Sequence, residues 1–478
     1  MCLTKIIATV GPAIDSTPKI IEAIDAGASV FRFNLKHSDT NWHSNCIAKV
    51  KEASIKTGKP VAILLDLQGP EIRVGQLKDS EIFVEKGQKI IFTQNNNLSE
   101  PDIVIIPISG NLFLGKFSLK NNFFLDDGRL EFKIVKNNKE SLLAEAVREG
   151  VIKSHKNINF PGIEIPLPSL LVKDIRDLSL ASKHEVDFIA LSFVRRKKDI
   201  ELLRKRLNNS NLTSKILAKI ETRAALHNFE EILNSCDGIM IARGDLGVEI
   251  PFEEVPYYQK KIIKRCVEVG KPVITATQML ESMTSSPFPA RADVSDIANA
   301  ILDYTDAIML SKETTIGKYP IEAISTMERI CSFWEKKRSP VKNFHFELNH
   351  QTAAIAFSAY NLWMSSFCQK QNVKAFVVLT KTGMTAKSLS RLRPNLPIIA
   401  LVEDKKTREQ LCLSYGVTPI IFEDDLYKKR DSSDIEKILS RIKEKGFVKS
   451  KDKVIILYAE DWGTPGKTNV VRIQEVPT

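Results

Sequence analysis

Two runs hold the residue types that could do chemistry on a charged substrate. Ile216–Thr222 carries an apolar segment into Lys219 and Glu221. Positions two apart on a strand face the same side, so the ammonium and the carboxylate would point together. Ile239–Gly247 carries a second apolar segment into Arg243, Gly244 and Asp245. The glycine suits a place where backbone must approach a ligand closely. A lysine, two carboxylates and bare backbone at strand ends suit a divalent cation beside an anionic substrate. The plainer alternative is a buried structural ion pair.

Such ends need a scaffold. Eight apolar runs lie within Thr4–Gly11, Val30–Leu35, Pro60–Gly69, Val186–Phe193, Ser214–Glu221, Asp237–Gly244, Pro272–Gln278 and Asp306–Glu313. Helical patterns separate them; Thr17-Pro18, for example, is a cap with a first-turn proline, and Gly27 is a stop. Alternation of this kind predicts an α/β chain with a closed parallel (β/α)8 TIM barrel, and an open doubly wound sheet is the other fold it allows. From Val74 to Pro166 the rhythm changes to short alternating segments, with turn signals at Asp127-Gly128 and Asn137-Asn138. An inserted β domain able to act as a lid is expected there. Five more strand-like runs (Ala375–Thr380, Pro397–Val402, Thr418–Phe422, Val454–Ala459 and Val470–Val476) predict a C-terminal open-sheet α/β domain. The expected domains are the barrel in two parts, 1–70 and 168–337, the lid at 71–167 and the C-terminal domain at 338–478.

The totals narrow the function. At 478 residues the chain is too long for one core. No apolar run has membrane-spanning length, and the N-terminus lacks the pattern of an export signal. The seven cysteines are scattered with no Cys-x-x-Cys, so neither a disulfide framework nor a zinc site is expected, which fits a cytoplasmic protein. The formal charge of +11 could serve nucleic acid, a membrane surface or anionic metabolites. The basic residues are spread and not interleaved with aromatics, which favours metabolites; neither nucleic acid nor membrane is an expected partner.

In a barrel of this kind active residues collect at the C-terminal ends of the strands. Polar groups stand there on six of the eight runs: Arg32, Asn34, Lys36 and His37; Asp66, Gln68 and Glu71; Lys219 and Glu221; Gly244 and Asp245; Thr275, Thr277 and Gln278; Ser311, Lys312 and Glu313. Barrel packing alone favours branched apolar side chains at such positions.

With these residues in view, the chain resembles pyruvate kinases over essentially its whole length. The matching motifs are Thr4–Pro12, Gly69-Pro-Glu-Ile-Arg73, Leu125-Asp-Asp-Gly128, Ala218-Lys-Ile-Glu221, Ile239–Ile250, Ala276–Met283 and Ser295–Ala300. The resemblance implies a (β/α)8 barrel with an inserted β-barrel lid domain and a regulatory C-terminal domain. It implies phosphoryl transfer from phosphoenolpyruvate to ADP, giving pyruvate and ATP. Glu221 and Asp245 match the magnesium ligands, a place manganese could also take. Lys219 matches the lysine that steadies the transferring group, Arg32 a second phosphate contact, Gly244 the backbone donor to the substrate carboxylate, and Thr277 a threonine near the enolate face. Asn34, His37, Arg73 and Arg196 match nucleotide contacts, with Arg196 in place of a usual lysine. Trp42 stands where an aromatic flanks adenine, or packs on the surface.

The potassium site of the family departs from its pattern. Asn34 and Asp66 match two of its ligands, but Lys36 replaces a serine and Leu67 a threonine. An ammonium has no lone pair and cannot ligate a cation. Lys36, paired with Glu71, is therefore expected to stand in for potassium electrostatically; the alternative is a degraded site with Lys36 in solvent. Other departures are Lys312, Ala290 and Tyr304.

Thr380, Lys381, Thr382, Gly383 and Thr385 suit a phosphate at a helix start. In the family that segment takes a sugar-phosphate or nucleotide effector, with a loop like Gly463–Asn469 closing over it; a plain cap is the other reading. The resemblance also implies a homotetramer. The rival functions are a metal-dependent lyase or aldolase on the same barrel, and a catalytically weak effector-binding or nucleic-acid-binding homologue.

Overall fold

The computed structural model describes residues 2–95, 98–109, 119, 121–163, 167–341, 344–422, 432–460 and 466–478. Eight parallel strands close into a barrel: Lys5–Thr9, Ala28–Asn34, Ala62–Asp66, Phe188–Leu191, Lys215–Ile220, Gly238–Ala242, Val273–Ala276 and Ala307–Leu310. Every expected run holds one of these strands, but most strands are shorter at both ends. The polar residues at their C-terminal ends leave the ladder and turn into the mouth.

The helices form where the local chemistry directs them. Asp39 caps Thr40–Thr57 by accepting the N–H of Trp42 at 2.8 Å, and Gly58 ends that helix at φ 67°. Inside the barrel, Ile7, Val30, Leu64, Leu217, Met240, Ile274 and Met309 form one apolar cluster. Cys412 and Leu413 of the C-terminal domain join it and plug the bottom of the barrel. Asp187, Asp237 and Asp306, just ahead of the fourth, sixth and eighth strands, accept the N–H groups of Ile63, Ile216 and Val273. These carboxylates tie the strand starts and lie at the opposite end from the mouth.

The helix Arg291–Leu302 starts without a side-chain cap, because Ala290 holds the capping position at φ −68° and ψ 153°. A threonine hydroxyl there would satisfy one orphan N–H of the first turn. Ala290→Thr is expected to stabilise the protein by about 1 kcal/mol, read as a higher Tm with activity unchanged.

Between the third and fourth barrel strands the chain builds a second closed barrel of seven strands, in the order Ser141–Ala146, Lys89–Thr93, Val104–Ser109, Ile72–Val74, Asn157–Asn159, Asn122–Leu125, Leu130–Asn137. Glu81–Val84 and Gly150–Lys153 pair beside it. Its core is aromatic: Phe123 stacks on Phe132 and Phe160, and Phe92 meets Phe123 and Phe132 edge-on. Asp126, Asp127 and Gly128 turn with three successive left-handed residues, at φ 49°, 57° and 85°.

The C-terminal sheet holds five strands, ordered Val417–Ile421, Ile398–Val402, Val373–Leu379, Lys453–Tyr458, Val470–Glu475, with the last pair antiparallel. All seven cysteines are free thiols and buried. Among the described residues no helix is long and apolar enough to cross a membrane.

Candidate active site

The fifth barrel strand delivers Lys219 and brings Glu221 to its end on the same side. Lys219 Nζ lies 2.8 Å from Glu221 Oε1 and 3.2 Å from Asp66 Oδ1, and donates to Ser192 Oγ at 2.8 Å. Asp66 closes the third strand and takes the Arg32 fork, with Nη2 at 2.6 Å and Nε at 2.8 Å from its Oδ2. Arg32 Nη1 also donates to Thr9 Oγ1 at 3.1 Å. Lys219 and Arg32 are only 9% and 7% exposed, so both cations meet a ligand in a nearly dry mouth, where charge acts strongly.

Burial opposes every one of these charges, and the partners decide the outcome. Burial would lower the Lys219 ammonium, but Asp66 and Glu221 raise it well above the ordinary lysine value. Burial would raise Asp66, but Lys219 and Arg32 hold it below the usual carboxylate range. Burial pushes Glu221 up to about 7 and Asp245 up to about 6. An added cation beside those two carboxylates would reverse that penalty.

The donor set fits a hard divalent ion. Glu221 Oε2 accepts the N–H of Phe193 at 2.6 Å, whereas the buried Oε1 has Lys219 beside it but makes no hydrogen bond. A lone pair is therefore left over in the mouth. Among the described residues no three His, Cys, Asp or Glu side chains gather as a complete cage. Two carboxylates with water and substrate oxygens making up the rest is the coordination magnesium favours.

Asp245 sits in the first turn of the helix Arg243–Glu249, which follows the sixth strand directly. Gly244 N–H donates to Thr277 Oγ1 at 2.9 Å. Thr277 and Gln278 leave the seventh strand with φ 69° and 52°, a strained conformation for residues with side chains. Arg243 holds that bend: Nη2 donates to the Thr277 carbonyl at 2.6 Å while Nη1 pairs with Asp296 at 2.7 Å.

Beside this cluster Glu71 is gripped from two sides. Lys36 Nζ lies 2.7 Å from its Oε1, and Arg73 places Nη2 at 2.5 Å and Nε at 2.7 Å from its Oε2. Burial, aided by the Glu221 charge, pushes this carboxyl up to about 8 against the pull of Lys219; cations in contact with a carboxyl favour its ionised form. Arg73 Nη1 donates to the His155 carbonyl of the lid at 3.0 Å. Asn34 Oδ1 accepts the Lys36 N–H at 3.3 Å. Burial and Arg32 hold the His37 imidazole below its ordinary value. Arg196 is exposed at the start of the helix Lys197–Asn209, and Trp42 meets His43 edge-on at 5.0 Å while packing against the barrel core.

Three site residues escaped the sequence reading. Ser192 and Thr9 end the fourth and first strands, the two rim positions left out of it. A polar residue directly after each apolar run was the available signal. Arg243 was visible only as part of a motif; its grip on Thr277 depends on the neighbouring strand. Two rim assignments are corrected: Thr275 is fully buried within its strand, donating its hydroxyl to Thr305 Oγ1 at 3.0 Å, and Glu313 is buried and braces the backbone, accepting from Ser311 N at 2.7 Å and Leu280 N at 3.1 Å. Lys312 turns outward to Glu281 at 3.3 Å, and Tyr304 packs under Arg338, 4.8 Å from its ring centre.

The second cluster expected from sequence lies far along the chain. Thr380 follows the strand Val373–Leu379, Lys381 and Thr382 are exposed, and Gly383 at φ 76° opens the short helix Met384–Ser390. Thr385 Oγ1 lies 2.7 Å from Thr468 Oγ1. Residues 463–465 of the expected closing loop lie outside the described residues.

The chain is similar to known proteins over nearly its whole length. The family model "Pyruvate kinase, barrel domain" matches residues 1–324, and "Pyruvate kinase, alpha/beta domain" matches residues 359–474. A pyruvate kinase of Clostridium acetobutylicum is 38% identical over 477 residues, covering 99% of each chain. One from Bacillus licheniformis is 37% identical over 99% of this chain and 80% of its own length. A crystal structure of a pyruvate kinase from Cryptosporidium parvum superimposes with a TM-score of 0.88 at 32% identity, covering 99% of this chain and 96% of that one.

Proposed function

The chain belongs to the pyruvate kinase family, and from that premise we propose how its own residues carry phosphoryl transfer from phosphoenolpyruvate to ADP. The observation that carries the reading is the Lys219 ammonium, held between Asp66, Glu221 and Ser192 at the barrel mouth. Phosphoryl transfer needs little covalent chemistry from the protein; it needs positioning and compensation of negative charge spread over the oxygens. Lys219 and Arg32 place two fixed positive charges where the phosphoryl group passes. Thr9 and Asp66 orient Arg32, and Asp66 and Glu221 keep Lys219 protonated through the working pH range.

Glu221 and Asp245 would hold a magnesium or manganese ion, which when bound supplies further positive charge to the substrate oxygens. Gly244 would turn its N–H, which meets Thr277 Oγ1 at 2.9 Å, toward the substrate carboxylate, and the absence of a side chain keeps the approach open. Thr277, fixed by Arg243, orients water or substrate at the enolate face; a hydroxyl is too weak an acid to do more unaided. Asn34, His37, Arg73 and Arg196 serve the nucleotide, with the lid bringing Arg73 over the mouth.

The test is ATP formation from phosphoenolpyruvate and ADP with magnesium and potassium varied separately. No ATP would overturn the reading, and pyruvate release independent of ADP would favour a lyase instead. We also infer potassium independence. The Lys36–Glu71 contact supports it, because it fixes a positive charge just past the ends of the second and third strands, which carry Asn34 and Asp66. Activity in choline buffer is expected to equal that in potassium buffer within about twofold. Lys36→Ser should lower the activity in choline by about tenfold, as expected for loss of one charge-assisted contact of 1–2 kcal/mol, and potassium should restore part of it. A strong potassium requirement in the unaltered protein would sink the idea.

The same reading takes Thr380, Lys381, Thr382, Gly383 and Thr385 as an effector site for a sugar phosphate or nucleotide, the assembly as a homotetramer, the location as cytoplasmic, and the domain limits as 1–70 with 168–337, 71–167 and 338–478.

A further inference from the structure

The chain passes between barrel and lid twice, outward just after the third barrel strand and back just before the helix Val172–His184. One side chain holds both crossings. Asp174 is fully buried at the third position of that helix. Its Oδ1 takes the outgoing crossing, accepting the N–H of Gln68 at 3.0 Å and of Gly69 at 3.3 Å. Its Oδ2 takes the returning one, accepting the N–H of Leu171 at 2.8 Å. The Leu171 bond is the ordinary reach of a third helical residue back to its cap. The other two are not, since Gln68 lies 106 residues away in sequence and on another element.

The opposite side of the outgoing crossing is held by the Lys219 cluster. Ser192 Oγ donates to the Leu67 carbonyl at 2.7 Å and accepts from Lys219 Nζ at 2.8 Å. Gly69 turns at φ 67° so close to it that a Cβ there would lie 2.8 Å from Ser192 Cβ. The segment from Leu67 to Gly69 is thus clamped between Ser192 and Asp174, and Glu71 and Arg73 follow it directly. Lys173, beside Asp174, donates to the Leu35 carbonyl at 2.5 Å, just ahead of Lys36 and His37.

We propose that Asp174 is a positioning residue, a joint that fixes the base of the lid to the Lys219 cluster with one oxygen on each crossing and so sets where Arg73 stands over the mouth. The consequence for the nucleotide rests on the phosphoryl-transfer reading above; the joint itself does not. Each crossing needs an acceptor, which a carboxylate supplies twice and an amide once. In Asp174→Asn the new NH2 group faces a backbone N–H, donor to donor, and one crossing is released.

Two readouts test this. Hydrogen exchange needs no activity. In Asp174→Asn the amides of Gln68 and Gly69, or that of Leu171, are expected to exchange at least about tenfold faster, as for loss of a bond to a charged acceptor, while those of the strand Lys215–Ile220 keep their rates. Unchanged exchange at both crossings would overturn the joint. The second readout is steady-state kinetics. Misplacing a group by about 1 Å costs up to about 100-fold, so kcat/KM for ADP is expected to fall about 30- to 100-fold, with KM for phosphoenolpyruvate changing less than about threefold because Arg32, Lys219 and Gly244 all stand on the barrel. Asp174→Glu keeps both oxygens and should recover part of the loss, and it carries both measurements should Asp174→Asn not fold. A lower Tm with the ADP kinetics unchanged would make Asp174 a helix cap only and overturn the positioning role. Absence of ATP formation in the unaltered protein would instead overturn the phosphoryl-transfer reading, leaving the exchange result to decide the joint.

Discussion

Lys219→Met is expected to cut kcat by about 10³-fold or more, with a smaller change in KM for ADP. Methionine keeps most of the length and volume of the lysine stem but removes the charge. Removing one preorganised donor from an active site typically costs 10²–10³ in rate, and about 10³–10⁵ where a charged finger stabilises the transferring phosphoryl. The structure explains why the fold should survive. Asp66 keeps the Arg32 fork at 2.6 Å and 2.8 Å, and Glu221 keeps the Phe193 N–H at 2.6 Å. A thermal melt separates the two effects: loss of rate with little loss of Tm is the expected result. Near-normal turnover in a folded Lys219→Met protein would mean that the phosphoryl group passes elsewhere.

Glu221→Gln is expected to raise the magnesium concentration needed for half-maximal activity by at least about 100-fold, since even partners behind metal ligands are worth 10–100-fold in affinity. Glutamine can still accept the Phe193 N–H, so the backbone there has no reason to move. What is lost is the negative charge next to Lys219 and the lone pair on Oε1 that no hydrogen bond uses. A readout independent of turnover is available. A ligand that binds only the folded protein raises Tm in proportion to the logarithm of its concentration. Manganese should therefore raise the Tm of the unaltered protein and fail to do so, at the same concentration, in Glu221→Gln. An equal rise in both proteins would place the ion away from Glu221.

These two predictions differ in what they probe. Lys219 is a fixed charge supplied by the chain, and its loss appears chiefly in kcat. Glu221, on the proposed reading, would act through an ion, and its loss would be offset in part by raising the concentration of that ion. If both variants changed only KM for phosphoenolpyruvate, the residues would be binding substrate and reacting group equally well, and the division of labour proposed here would fail.

Much of this was legible in the sequence because it depends on local period. Side chains two apart on a strand share a face, so Lys219 and Glu221 had to point together, and their ammonium and carboxylate do meet at 2.8 Å. Eight apolar runs separated by helical patterns favoured a closed barrel over an open sheet, and a barrel places its strand ends on one rim. The closure of the lid was legible only through the family resemblance and not in the alternation itself, because short alternating segments fit an open sheet as well as a closed one. Nor was the antiparallel fifth strand of the C-terminal sheet, since one strand's sequence does not encode its neighbour's direction.

What only the tertiary structure decided are the contacts that cross from strand to strand. Parallel register puts Asp66 level with Asn34 on one side and Ala190 on the other, which is what brings Arg32 and Ser192 within reach of it. Arg243 meets Thr277 because the sixth and seventh strands pair with Ala242 beside Ala276. Lys36 and Glu71 are 35 residues apart and meet only because the second and third strands end side by side. Composition and spacing settle which groups a strand end carries. Closure of the barrel settles the distances between them, and charge acts through distance.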